Sequence, residues 1–239
     1  FYLVESKKKN RINNFVDIAI CLLLSIVASL QFNSFSSEFY TDSSVFAYIG
    51  KMMHEGLLPY KDLFDHKGII LYFIQYLAGF FDNIFVGLWL IEFINLFVFA
   101  YFILKTIKLF TDNKLTQFAT LAIICCICTS TTFEGGNLVE EYALPWLSIS
   151  MFLFYKWFET KELKIAELLC IGGSFSVVLF LRPNMIALWV SLIPIVTFMI
   201  ISQKRWNDLI KCICWFCVGA AIVLAALGVY FICTNSLKD

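Results

Sequence analysis

Residues 38–68 read EFYTDSSVFAYIGKMMHEGLLPYKDLFDHKG, which sets Asp42, Asp62, Asp65, His66 and Lys67 close together in an otherwise greasy chain. A carboxylate fixed beside a reacting hydroxyl can act as a general base, a device worth about 10²–10⁴-fold in rate. Asp42 is the candidate for that role. Thr-Asp-Ser-Ser is equally good chemistry for a helix N-cap, and one residue can do both. The plain reading of Asp65, His66 and Lys67 is a solvated turn, or a mixed-sign anchor at lipid headgroups. Glu140 and Glu141 suit a helix N-terminus near Ala143, or acceptor or metal binding across from Asp42. Arg182 is a lone cation between two apolar runs, open to an anionic partner. Glu92 sits inside a third run, where ionisable groups are expensive; with Asn95 at i+3, we expect it to make a structural polar contact.

The elements that must position these residues follow from composition. The chain has 239 residues, 60% hydrophobic and 15% charged, with 18 cations balancing 18 anions. Soluble domains hold about 45–50% apolar residues and about a quarter charged ones. A single globule cannot hide this excess, a disordered chain is excluded, and the absence of a basic surplus argues against nucleic acid as a partner. The class expected is an all-α polytopic membrane protein. Seven apolar runs approach the roughly 20 residues that cross a bilayer: Phe15–Phe32, Ile84–Leu104, Thr116–Phe133, Tyr142–Phe158, Ile165–Leu181, Pro183–Ile201 and Ile213–Cys233. None alternates as membrane strands do. Gly68–Phe81 is apolar but short. With the N-terminus inside and seven spans, the inner segments hold 13 of the 18 cations; were Gly68–Phe81 to cross, they would hold six. Only the first arrangement obeys the positive-inside rule, so Gly68–Phe81 is expected to lie along the membrane.

A large outer segment, 33–83, results, and nine of the 18 acids fall on outer segments. Within it, Val45, Ile49, Met52 and Met53 share one helical face, Lys51 and Glu55 form an i,i+4 pair, and Gly56 and Pro59 supply stop signals. Two interfacial helices are therefore expected. The nine cysteines all lie in spans or at their edges and read as small buried hydrophobes; Cys214 and Cys217 have redox spacing without the context for it. Lys7–Arg11 before the first run reads as a signal anchor. The first residue is Phe1 and Asp239 follows closely on a span, so the single module 1–239 is expected to continue into a longer protein.

An early outer-loop Asp42, then Gly56-x-x-Pro59-Tyr60-x-Asp62-x-x-Asp65-His66-Lys67 running into an apolar helix, resembles the GT-C glycosyltransferases. The likeness is to the branch of protein O-mannosyltransferases and aminoarabinose lipid A transferases, and to its bacterial members. The stretches 133–145 (FEGGNLVEEYALP) and Leu181-Arg182-Pro183-Asn184 fit the same group. Two departures are a Gly at 68 where the family has Pro, and Ser43 where several relatives have a second acid. The resemblance implies an inverting transfer of sugar from a polyprenyl-phosphate donor to a glycan, lipid or protein acceptor at the outer face of the cell membrane. It implies Asp42 as the catalytic carboxylate and Lys67 near the donor phosphate. Tyr60, Asp62, Asp65, His66, Glu140, Glu141, Arg182 and Asn184 complete the expected donor and acceptor contacts. The leaving phosphate calls for Lys67, Arg182 or a divalent ion; no metal ligand set is specified. A different class, a transporter or lipid-carrier flippase, would place its polar groups at mid-membrane, with Glu92 and Pro194 as candidates. A catalytically silent scaffold is the third class, in which no single outer acid would matter. The topology has its own test: a thiol introduced at 110–114 should resist impermeant reagents applied to intact cells, and its labelling from outside would overturn the seven-span arrangement.

Overall fold

The computed structural model describes residues 2–128 and 134–236, with side chains for 14–127 and 134–236. Lys7, Lys8, Lys9 and Arg11, and the end of the third expected span with Phe133, fall outside the described side chains. The protein is all-helical, and among the described residues no strand forms. In chain order the helices are α1 (Tyr2–Ser29), α2 (Asn33–Ser36), α3 (Thr41–His54), α4 (Ile69–Ala78), α5 (Ile84–Phe110), α6 (Lys114–Cys128), α7 (Val139–Thr160), α8 (Ile165–Leu181), a 3-10 turn (Pro183–Ile186), α9 (Ala187–Ser202) and α10 (Trp206–Cys233).

Among the described residues three helices are long and apolar enough to cross a membrane: Ile84–Phe110, Pro183–Ser202 and Trp206–Cys233. The apolar parts of α1, α6 and α8 are shorter, and α4, at 10 residues, is shorter still. At 1.5 Å per residue α4 covers about 15 Å, half of a hydrocarbon core. It lies instead against α3, α5 and α8, burying Ile69, Leu71, Tyr72 and Gln75.

The expected face of α3 holds in part: Ile49 is buried and Met53 packs against the core. Val45 is exposed, while Ser43, Phe46, Ala47 and Gly50 are buried. Spacing of i, i+3, i+4 and i+7 makes those four one stripe. The small residues in it let α4 approach until Gly50 lies against Gln75, which a stripe of Val45 and Met52 would prevent. Lys51 and Glu55 form no ion pair.

Two apolar clusters fill the bundle. One gathers Phe46, Tyr72, Tyr142, Leu181 and Trp189; the other joins α1, α5 and α6 through Cys21, Leu96, Ala100 and Leu121. The cysteines divide, too: Cys21 and Cys125 are buried, but Cys126, Cys170, Cys214, Cys217 and Cys233 face outward. Around them on α9 and α10, Val190, Phe198, Ile222 and Ile232 are also exposed. An apolar belt on long helices suits hydrocarbon rather than water.

The helices sort their connections to two ends. A loop end collects the 33–83 segment, the 134–138 loop and Arg182. The opposite, basic end collects the cations of 105–114, 156–164 and 204–211. Ion pairs clamp this second end: Asp17 to Lys108 across α1 and α5, and Lys156 to Glu167 across α7 and α8.

The tightest helix crossing is α8 on α10. A Cβ added at Gly172 would overlap the Phe216 carbonyl, and one at Gly219 would overlap the Leu169 carbonyl. Small residues that let backbones meet are the usual glue between apolar helices, since burial alone gives no preference in lipid. Gly172→Leu or Gly219→Leu should therefore lower stability by about 1–3 kcal/mol, as overpacking generally does. Thermal unfolding of the detergent-solubilised protein measures it; an unchanged midpoint would contradict this packing.

Candidate active site

The loop end is built around one stretch of left-handed backbone. Glu134, Gly135, Gly136 and Asn137 have φ of 49°, 79°, 104° and 55°. Four such residues in a row cannot form helix or strand, so outside contacts must hold them. Asn33 supplies two, from its backbone N–H to the Gly135 carbonyl (2.6 Å) and from its side-chain amide to the Glu134 carbonyl (2.7 Å). Glu92 of α5 supplies a third: its carboxylate accepts from the Asn137 N–H at 2.5 Å, and from the Ser34 hydroxyl. Gly136 lies so close to Glu92 Oε1 that a Cβ would meet it at 2.5 Å. The expected structural contact of Glu92 is thus present, with this loop as its partner.

Asn137 is the hub. Its carbonyl oxygen accepts from Gln75 of α4 (2.6 Å) and from the Tyr142 hydroxyl of α7 (2.7 Å). Its amide nitrogen donates to the Gln75 carbonyl oxygen at 3.3 Å and to the Ser43 backbone carbonyl of α3 at 3.4 Å. One buried side chain therefore ties α3, α4 and α7, while its backbone reaches α5.

Ser43 links this network to the site. Its hydroxyl accepts from the Tyr40 N–H (2.9 Å) and donates to the Tyr40 carbonyl (3.0 Å), making Tyr40 the N-cap residue of α3. The capping function lies with Tyr40 and Ser43, so the Asp42 carboxylate does not cap. It stands in the first turn, where an anion is favoured, and faces Lys67 Nζ at 3.8 Å. The Lys67 side chain is 13% exposed and its ammonium lies 5.9 Å from the centre of the Phe46 ring.

Lys67 is placed by the turn before it. Tyr60, in a left-handed conformation with φ of 70°, donates its hydroxyl to the Lys67 carbonyl at 2.5 Å. Burial, with Asp65 alongside, pushes the hydroxyls of Tyr60 and Tyr72 above the usual phenol range, so both stay protonated. Gly68 then docks on the end of α8, its N–H donating to the Leu181 carbonyl at 3.2 Å. A Cβ there would overlap the Phe180 carbonyl. A proline at 68 would lose the hydrogen bond and collide.

An open pocket of about 350 Å³ results, lined by Asp42, Lys67, Glu140 and Arg182, with Glu134, Phe46, Leu138 and Val139. Arg182 is ion-paired with Glu140 across it. Four of the expected site residues thus meet in one cavity, although they come from α3, the 60–68 turn, α7 and the end of α8. The others do not line it. Tyr60 acts from beneath through Lys67. Asp65 is tucked in, with Oδ1 accepting from the His66 N–H (2.6 Å), while the His66 ring is exposed. Asp62 is exposed and binds the Leu58 N–H at 2.8 Å; Asn184 is exposed on the 3-10 turn. Glu141 is 4% exposed and points into the core toward Glu92. Neighbours on a helix differ by about 100° in direction, which separates Glu140 from Glu141. Among the described residues no group of three or more His, Cys, Asp or Glu is placed to hold a metal ion.

Sequence reasoning did not single out Glu134 or Asn137, although both stand in the 133–145 stretch; its Glu-Gly-Gly-Asn composition was the signal for left-handed backbone. The hub has a measurable consequence. Asn137→Ala should cost about 1–3 kcal/mol for each buried group it strands, the Gln75 amide and the Tyr142 hydroxyl foremost. Denaturant unfolding in detergent reads this, and a loss under about 1 kcal/mol, the lower end of that range, would deny Asn137 its role.

No curated protein and no solved structure matches this chain. A family model does, over residues 5–239, which is nearly its whole length. The chain belongs to the competence-induced protein Ccs4 N-terminal domain family.

Proposed function

We propose that the protein is an integral-membrane glycosyltransferase that moves a sugar, with inversion, from a polyprenyl-phosphate donor to a glycan, lipid or protein acceptor on the outer face of the cell membrane. The observation that carries this reading is the single pocket joining Asp42 to Lys67 at 3.8 Å beside the Arg182–Glu140 pair. A base next to two cations is the equipment that a hydroxyl nucleophile and a phosphate leaving group require.

In the proposed reaction the acceptor oxygen bonds to the anomeric carbon as the bond from that carbon to the phosphate oxygen breaks. The acceptor proton passes to Asp42, late, when the oxocarbenium-like centre has already acidified the hydroxyl. Polyprenyl phosphate leaves with the electron pair, its charge met by Lys67 or Arg182. The prenyl tail needs an apolar path beside the pocket, whose own apolar wall is Phe46, Leu138 and Val139.

The topology belongs to the same proposal: seven spans, N-terminus in the cytoplasm, and the pocket outside. Its support is the sorting of connections to two ends, since the cations gathered at the basic end are those that the positive-inside rule puts in the cytoplasm. A transporter would keep an ionisable group available at mid-membrane. Glu92 is engaged through both oxygens by Ser34 and Asn137 and so is not the free group such a transporter would use.

Purified protein in liposomes, given a panel of polyprenyl-phosphate hexoses and cell-envelope acceptor, should release polyprenyl phosphate. Asp42→Asn should slow release by about 10²–10⁴-fold, and Lys67→Gln should raise KM for the donor. Release at the normal rate by Asp42→Asn would defeat the assignment.

A further inference from the structure

At the basic end, two cavities lie side by side. The first, about 500 Å³, opens between the 160–164 turn and the start of α10 and is lined by Lys156, Lys161, Lys164, Arg205 and Lys211. Three acids also line it: Glu162, Glu167 and Asp208. Glu167 is spent on Lys156, and Asp208 on the Arg205 Nε at 2.7 Å. Arg205 also donates from Nη2 to the Lys161 carbonyl at 3.0 Å, which fixes the rim. Lys161, Lys164 and Lys211 form no ion pair among the described residues, nor does Glu162, and Glu167 also faces Lys164; Lys161 rests 5.2 Å from the centre of the Trp157 ring. The cavity therefore keeps a surplus of positive charge.

The second cavity, about 140 Å³, lies toward the bundle's middle between α7, α8, α9 and α10. Trp157, Leu163, Leu168 and Cys212 line both, so the two adjoin and share a wall. Beyond them the lining is apolar, with Ile193, Val196 and Phe216 among its walls. One wall of it is α9, which supplies Ile193, Val196, Thr197 and Ile200.

We propose that this composite cavity binds an anionic glycerophospholipid, its phosphate among Lys161, Lys164 and Lys211 and part of an acyl chain in the slot beside Val196. The charge surplus selects an anion, and the adjoining apolar slot selects one that carries a chain. A soluble phosphate would leave the slot unfilled, and a zwitterionic lipid would bring its own cation to the lysines. The site is remote from the Asp42 pocket and does not depend on the transferase reading.

The test is native mass spectrometry of the detergent-purified protein titrated with dioleoylphosphatidylglycerol, dioleoylphosphatidylcholine or glycerol phosphate. The expected result is one saturable site for phosphatidylglycerol alone. Lys161→Gln, Lys164→Gln and Lys211→Gln together should weaken it about a hundredfold, from the usual contribution of a cation near an anionic lipid. Val196→Trp, which fills the slot and leaves every charge in place, should abolish tight binding too, and decides the matter if the triple variant fails to fold. Equal binding of phosphatidylcholine, equal binding of glycerol phosphate, or undiminished binding by a folded variant would overturn the proposal.

Discussion

The loop end of this protein depends on a single buried amide. Asn137 offers one carbonyl oxygen and one NH₂ group, and α3, α4 and α7 all spend hydrogen bonds on them. Inside an apolar bundle such groups have few alternative partners, so the cost of leaving them unmade is what fixes the arrangement. The dependence runs in sequence. Glu92 holds the left-handed loop, the loop presents Asn137, and Asn137 takes the Ser43 carbonyl, one residue from Asp42. The position of the candidate base is thus set from the interior of the bundle.

The remainder of the molecule is held by a different principle. Where α8 crosses α10, contact depends on the absence of side chains, Gly172 and Gly219 allowing backbone to touch backbone. At the basic end, ion pairs join neighbouring helices. Polar hub, glycine seam and charged clamp occupy different levels along the bundle. Between the seam and the clamp, α9 makes few contacts with the rest, and the composite cavity lies against it.

Much of this was legible in the sequence, for reasons that also explain the failures. Apolar runs and stop signals located the helices, because those signals are local. Asp42, Lys67, Glu140 and Arg182 were each legible as chemically apt groups, and the pocket unites them. What failed depended on packing. Val45 was expected on the face of Ile49 because hydrophobicity alone cannot show that α4 needs small residues opposite it. Asp42 looked like a cap because Thr-Asp-Ser-Ser permits several registers, and the reciprocal bonds of Ser43 and Tyr40 chose another. The outward cysteines were misread because in lipid the exterior is as apolar as the core. Asn137 escaped notice since nothing in a single polar residue announces three distant partners.

The joint at Gly68 carries a consequence for recognition. Its N–H is bound to the last carbonyl of α8, with no side chain to cushion the contact. Lys67 precedes this joint by one residue, and Arg182 follows its other half by one. The two cations are therefore mounted on opposite jaws of one caliper whose backbone opening is set before any ligand arrives. Their reach can vary only by side-chain rotation, so the single phosphate of the proposed donor would have to come to where the two side chains converge.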